Sequence, residues 1–312
     1  MSQYKISAWG DGKEIAPFDV SSTILNYLIN EHSLNETFQI IPNSNIFDSH
    51  SGRLPILTGP ESLQIEGFVE IWNFIVSNSH IGNEQAENVN PTLEILRRAY
   101  MDEITRDMNI ITLYNYFVVK QNYEGFTRGS FKDYLPWPTQ YKPPLDFRHY
   151  AQEMCLNEGI IDDDLMNSDY TYLESDLEDE LQQLRKEEKN LRETPVINDM
   201  QKLQIDKQLD IISQKKYIIA NMQCIKKLKE VIQKHQEMKS ILDDKMFHTI
   251  LLIYLKCNTE RKLPENFISS WIKREYPELN KEISEMIISG SMAQTNKISL
   301  TTALGSYVSQ VI

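Results

Sequence analysis

Apolar residues recur along this chain at two different spacings, and the change between them divides it. Over the first 80 residues the spacing alternates between strand and helix. Tyr4-Lys5-Ile6-Ser7-Ala8-Trp9 reads as a short strand, stopped by Gly10-Asp11-Gly12. Ser21 or Ser22 is placed to cap a helix whose apolar side is Ile24, Leu25, Leu28 and Ile29. Phe38-Gln39-Ile40-Ile41, Leu54-Pro55-Ile56-Leu57 and Leu63-Gln64-Ile65 read as three further strands. The stretch from Glu66 to Asn78 reads as a helix burying Phe68, Ile71, Trp72 and Ile75. A β-α-β unit, then a hairpin and a closing helix, is a thioredoxin-like order.

From Asn90 the spacing is helical throughout. Asn90 suits an N-cap and Pro91 a first helical position, with Leu93, Leu96, Tyr100 and Ile104 on one side. A helix over Ile110 to Tyr123 follows. The proline-rich stretch Tyr134-Leu135-Pro136-Trp137-Pro138, with Pro143-Pro144, predicts a rigid aromatic loop before a helix over Asp146 to Leu156. Helices are then expected over Asp244 to Cys257, Pro264 to Glu275, Leu279 to Ile288 and Ser299 to Ile312. The predicted organisation is α+β but mostly α: a thioredoxin-like domain over 1–80, a linker over 81–89, and an all-helical domain over 90–312.

Charge changes the picture between residues 158 and 240. Glu158 to Glu193 holds thirteen acidic residues, whereas Gln201 to Lys239 holds nine lysines against four acids. Each half carries an apolar stripe, and Thr194-Pro195 separates them. Two helices of opposite sign joined by a turn predict an antiparallel charged hairpin inserted in the helical domain.

The whole chain has 312 residues, 41% hydrophobic and 25% charged, with a formal net charge of −13. That usage is globular, and the acidity argues against a nucleic-acid-binding groove. Cys155, Cys224 and Cys257 are odd in number and widely spaced, so a reducing compartment fits better than a disulfide framework. The six histidines never fall at i, i+3 or i, i+4, which gives a helix-borne metal site no support. Asp162-Asp163-Asp164 lacks the spacing and turn glycine of a calcium loop and is expected to be solvated. The first residues have neither a signal-peptide core nor an Arg-rich presequence, and no run of about 18 apolar residues occurs. Membrane association is therefore expected to come through partners.

Leu54-Pro55-Ile56-Leu57, Glu66-Gly67-Phe68-Val69-Glu70-Ile71 and the helical remainder resemble the metaxins. Ile6-Ser7-Ala8-Trp9-Gly10 and Leu135-Pro136-Trp137 are most similar to the larger fungal accessory subunit of that family. The resemblance is clearest over 1–80 and 90–155 and weak in the charged hairpin. It implies a glutathione-transferase-like body in the mitochondrial sorting and assembly machinery, on the cytosolic face of the outer membrane. The implied partners are a membrane-embedded β-barrel insertase subunit, a second metaxin-like subunit, a receptor of the import translocase, and precursor β-barrel proteins.

The rival reading of such a body is an active glutathione-dependent enzyme. That chemistry needs a hydroxyl or thiol just after the first strand to stabilise a thiolate. The turn reads Trp9-Gly10-Asp11-Gly12-Lys13 and offers neither, and Asp11 would repel the anion. Tyr4 and Ser7 lie inside the strand. Pro55 stands where a ligand-binding proline is needed, and Glu66 where an acid is, but the hydroxyl expected next is replaced by Gly67. No catalytic residue, cofactor or metal is expected. A second rival is a trafficking adaptor working through the hairpin.

Two sets of residues are candidates for binding partners. Lys215, Lys216, Lys226, Lys227 and Lys229 could meet an acidic partner or anionic lipid, although a solvated face or pairing with the acidic helix is the preferred explanation. Trp137 and Tyr141, with Tyr134 and Phe147, could form a docking surface, although packing between helices is preferred. The apolar stripe of 298–312 is expected to pack on the helical domain or a partner.

Overall fold

A computed structural model describes residues 4–46, 49, 52–79, 91–162, 199–242 and 245–288, with the backbone alone over 199–214. The linker at 81–89, the acidic arm at 163–198 and the stripe at 298–312 lie outside the described residues.

The sheet is small and mixed. Strands β1 (Tyr4–Ala8), β2 (Phe38–Pro42), β3 (Ile56–Thr58) and β4 (Gln64–Glu66) lie in the order β2-β1-β3-β4. β1 runs parallel to β2 and antiparallel to β3, which pairs antiparallel with β4. The parallel pair needs a crossover, and helix α1 (Val20–Glu31) supplies it. As an inner strand, β1 buries three residues in a row, Ile6, Ser7 and Ala8, whereas β2 alternates, burying Phe38, Ile40 and Pro42. Helix α2 (Phe68–Asn78) follows β4 and buries Phe68, Ile71, Trp72 and Ile75, one face at i, i+3, i+4 and i+7.

The cap of α1 differs from expectation. Asp19, not Ser21 or Ser22, is the N-cap. Its carboxylate accepts from the Ser22 N–H (3.2 Å) and hydroxyl (2.7 Å), and from the Trp9 N–H (2.9 Å). Asp19 thus fastens the end of β1 to the start of α1, and burial raises its carboxyl above the usual range. A carboxylate reaches further than a serine hydroxyl, which is why one residue serves both termini.

The helical body begins with α3 (Pro91–Leu113), which runs on into a π-helical turn over Tyr114–Val118 that is buried throughout. No break precedes Ile110, because Met108, Ile110 and Ile111 continue the buried side of α3. Short turns lead through a second π segment, Tyr123–Thr127, into α4 (Arg128–Tyr134), and α5 (Lys142–Asn157) follows the aromatic loop. Helix α6 (Asp199–Leu242) is the basic arm of the expected hairpin. It lies antiparallel to α3: Tyr100 meets His235, Glu103 meets Lys234, Asp107 meets Lys227, and Tyr114 meets Asn221. Helices α7 (Lys245–Asn258), α8 (Phe267–Glu275) and α9 (Pro277–Glu285) complete the body. Pro264 does not open α8; the chain between them is held by Asn122, whose Oδ1 accepts from the Glu265 N–H at 2.7 Å.

The sheet and the helices share one hydrophobic core. Ile6, Leu25 and Ile71 belong to the same buried cluster as Met108, Leu228, Ile253 and Ile272. The middle of that core is aromatic: Phe18 stacks on Phe131 (5.4 Å between centroids), Phe147 stacks on Phe117 (5.3 Å), and Trp9 meets Phe147 edge-on at 5.3 Å.

Candidate interaction surfaces

A cleft of about 490 Å3 opens between α1, the segment leading into β3, the start of α2, and α3, lined by Ser21, Leu54, Pro55, Glu66, Gly67 and Glu70 among others. It brings together Pro55, Glu66 and Gly67, and the Leu54-Pro55 peptide is cis. The turn after β1 is not part of the lining. Its polar groups are used by the fold: Asp11 Oδ1 accepts from the N–H groups of Lys13 and Glu14 (2.9 Å each), and the Ser44 hydroxyl bridges the N–H and C=O of Gly10. Gly10 is required there, since a Cβ would lie 2.3 Å from the Glu14 carbonyl and 2.5 Å from Pro42.

The chemistry of the cleft is poor in nucleophiles. Ser7 is buried in β1, and Tyr4 stacks on Phe38 at 5.1 Å. The hydroxyls of the lining are those of Ser21 and Thr105, and neither stands beside a thiol or a histidine of the lining. All three cysteines are free and buried, and burial pushes the Cys155 and Cys257 thiols up to about 12 and Cys224 well above its ordinary value. Gly67 holds φ +91° at the N-terminus of α2, so a serine in its place would be strained. Glu70 folds back over that terminus, with Oε2 2.7 Å from where a Gly67 Cβ would stand. A carboxylate of the chain itself therefore stands beside that terminus, and its negative charge disfavours a second anion there.

The five candidate lysines of α6 separate by position on the helix. Lys216 is buried, at 4% exposure. Lys227 is half-buried between Glu158 (2.8 Å) and Asp107 (3.3 Å). Burial alone would lower its pKa, but the bond to Glu158 and the charge of Asp107 outweigh it and raise the value; the same bond lowers the Glu158 carboxyl. Glu158 is the first residue of the acidic block, so one pairing between the two charged halves is present. Lys215, Lys226 and Lys229 are exposed, and Ile218 and Met222 (57% and 65% exposed) fall on the same helical stripe.

The aromatic loop also divides. Tyr134 and Phe147 pack inward as expected, but Trp137 is 69% and Tyr141 52% exposed, and Leu145 in the first turn of α5 is 53% exposed. These outward residues correct the expectation that the whole set packs between helices. The loop runs through a cis Trp137-Pro138 peptide, the Thr139 hydroxyl donates to the Pro136 carbonyl (2.7 Å), and two prolines open α5. Two rings are therefore fixed outward while their sequence neighbours fill the core.

Sequence spacing concealed one further constellation. Tyr100, His235, His248 and Glu282 form a chain across α3, α6, α7 and α9. Tyr100 Oη lies 3.0 Å from His235 Nδ1, His235 Nε2 lies 3.1 Å from His248 Nδ1, and His248 Nε2 lies 2.9 Å from Glu282 Oε2. A separation of 13 residues on two different helices leaves no local motif to find. Among the described residues no group of His, Cys, Asp and Glu is arranged to hold a metal ion. Nor, among them, is any helix long and apolar enough to cross a membrane.

Comparison with known families gives two matches. Residues 21–148 match the Tom37 family, described as an outer mitochondrial membrane transport complex protein, and residues 173–303 match the Tom37 C-terminal domain. The two stretches together span well over half of the chain. A search of curated proteins found no match.

Proposed function

Because the chain belongs to the Tom37 family of outer mitochondrial membrane transport complex proteins, we propose that it serves as a non-catalytic subunit of the machinery that sorts and assembles β-barrel proteins in that membrane. In this reading it stands on the cytosolic face beside a membrane-embedded barrel insertase, a second metaxin-like subunit and a receptor of the import translocase, and it assists precursor β-barrels. Its body is a glutathione-transferase-like one, with a thioredoxin-like domain over 1–80 and a helical domain over 90–312, used as a scaffold.

The observation that carries the reading is the stripe Lys215, Ile218, Met222, Lys226 and Lys229 on α6, inside the second family match. An apolar ridge flanked by cations is suited to a helix or segment with an apolar centre and an acidic rim. The cleft beside α2 supports the non-catalytic part, since the Glu70 carboxylate stands beside the N-terminus of α2 and the turn after β1 lies apart from the lining.

Affinity purification of the tagged chain from mitochondria, followed by identification of its partners, tests the reading. A membrane β-barrel protein and a second metaxin-like subunit are expected to dominate. Glutathione turnover by the purified chain, or recovery chiefly with vesicle-coat proteins, would overturn it in favour of the enzyme or the adaptor.

A further inference from the structure

We propose that Trp137, Tyr141 and Leu145 form a contact with the headgroup region of the phospholipid bilayer itself. The inference rests on the reading above only in placing the protein at a membrane.

Three observations lead to it. First, the three residues lie within nine positions of chain, on the loop and the helical turn that follows it, and are all more than half exposed, so exposed apolar and aromatic surface is concentrated on this one segment. Second, the projection is held rigidly. The loop lies between prolines, the Tyr141 N–H donates to the Pro138 carbonyl (3.4 Å), and the neighbouring rings Tyr134 and Phe147 are anchored in the core beside Phe131 and Phe117. Presenting Trp137 therefore costs little ordering entropy when it is buried in a contact. Third, the chemistry is that of the membrane–water interface: each ring joins an apolar body to one polar N–H or O–H, the combination enriched at headgroup depth.

Local charge decides between an interfacial and an electrostatic contact. Exposed Lys132 and Lys142 flank the projection, but so do exposed Asp133 and Asp146. These flanking charges cancel, so ring insertion rather than attraction to anionic lipid supplies the affinity. This contact is thus distinct in kind from the lysine stripe of α6. Among the described residues no helix can span the bilayer, so a surface contact is the mode of lipid engagement they offer.

Flotation of the purified full-length chain with phosphatidylcholine–phosphatidylethanolamine vesicles tests the proposal. A vesicle-bound fraction is expected that changes little between low and high salt and falls at least tenfold in the variant carrying Trp137→Ala and Tyr141→Ala. Trp137 is the exposed tryptophan; Trp9 and Trp72 are buried and Trp271 half-buried. Wild-type fluorescence should therefore shift to the blue with vesicles and be quenched by brominated lipid, and Trp137→Phe should lose both effects. Absence of flotation, or flotation undiminished in the double variant with an unchanged unfolding midpoint, would overturn the lipid contact. Flotation that needs anionic lipid and vanishes in salt would do so too. Loss of co-purifying mitochondrial proteins in the double variant, with flotation intact, would reassign the projection to a protein partner. The partner identification of the preceding section uses the wild-type chain, so failure there leaves these outcomes readable.

Discussion

His235 Nε2 stands 3.1 Å from His248 Nδ1, and the order of protons through this pair is set by its neighbours. Burial pushes the Tyr100 phenol well above its ordinary value, so Tyr100 keeps its proton and donates to His235 Nδ1. His235 then donates from Nε2 to His248, and His248 from Nε2 to Glu282. Burial, then the charges of His248 and Lys239, lower His235 from 6.5 to about 4.

A pH dependence of stability follows. The unfolded chain binds a proton on this residue near pH 6.5, while the folded chain resists it until about 4. The stabilisation from His235 is thus present above pH 6.5 and is lost as pH falls through that window. Thermal unfolding of wild type should weaken between pH 6.5 and 4, and His235→Gln should weaken less over that range. At pH 8 the same variant should be destabilised by about 1–3 kcal/mol, because the Tyr100 hydroxyl and His248 Nδ1 lose a buried partner.

Asp19→Ala should cost about 2–3 kcal/mol in urea unfolding. It removes the α1 cap and leaves the buried Trp9 N–H without its acceptor. Asp19→Asn keeps one acceptor oxygen and should recover part of the loss. Equal effects of the two variants would show that the carboxylate does not join the two elements in the way its bonds suggest.

Native thiol titration should find almost no reactive cysteine. Cys155, Cys224 and Cys257 are buried, with thiols held well above neutral pH. All three should react once the chain is unfolded. A cysteine labelled rapidly in the folded protein would contradict the packing of α5, α6 or α7.

Charge reversal of Lys215, Lys226 and Lys229 should leave the unfolding midpoint almost unchanged, since exposed cations contribute roughly 0–1 kcal/mol each. It should weaken recovery of an acidic partner, most clearly at low salt. Lys227→Met should do the opposite, lowering stability by on the order of 1 kcal/mol through Glu158 and Asp107 while sparing partner recovery.

The sheet and its two helices were legible because their apolar periods are local: Ile24, Leu25, Leu28 and Ile29, or Phe68, Ile71, Trp72 and Ile75, identify a face without any knowledge of neighbours. Element ends were less so. Capping depends on side-chain reach, and Asp19 takes a role that spacing alone gives to Ser21 or Ser22 equally well. The candidate surfaces were legible as residue types but not as exposure. Nothing in five lysines says that Lys216 faces the core while Lys226 faces solvent until α6 is laid against α3. The same holds for Trp137 and Phe147, ten residues apart in one aromatic run and on opposite sides of the surface. The histidine relay joins four helices and has no sequence period at all.

The single buried cluster running from Ile6 through Met108 to Ile283 has a consequence for the protein's integrity. A cut near residue 80 would not release two self-sufficient halves; each fragment would bare the apolar side that the other had covered. The two parts therefore stand or fall together, each serving as the missing wall of the other's interior.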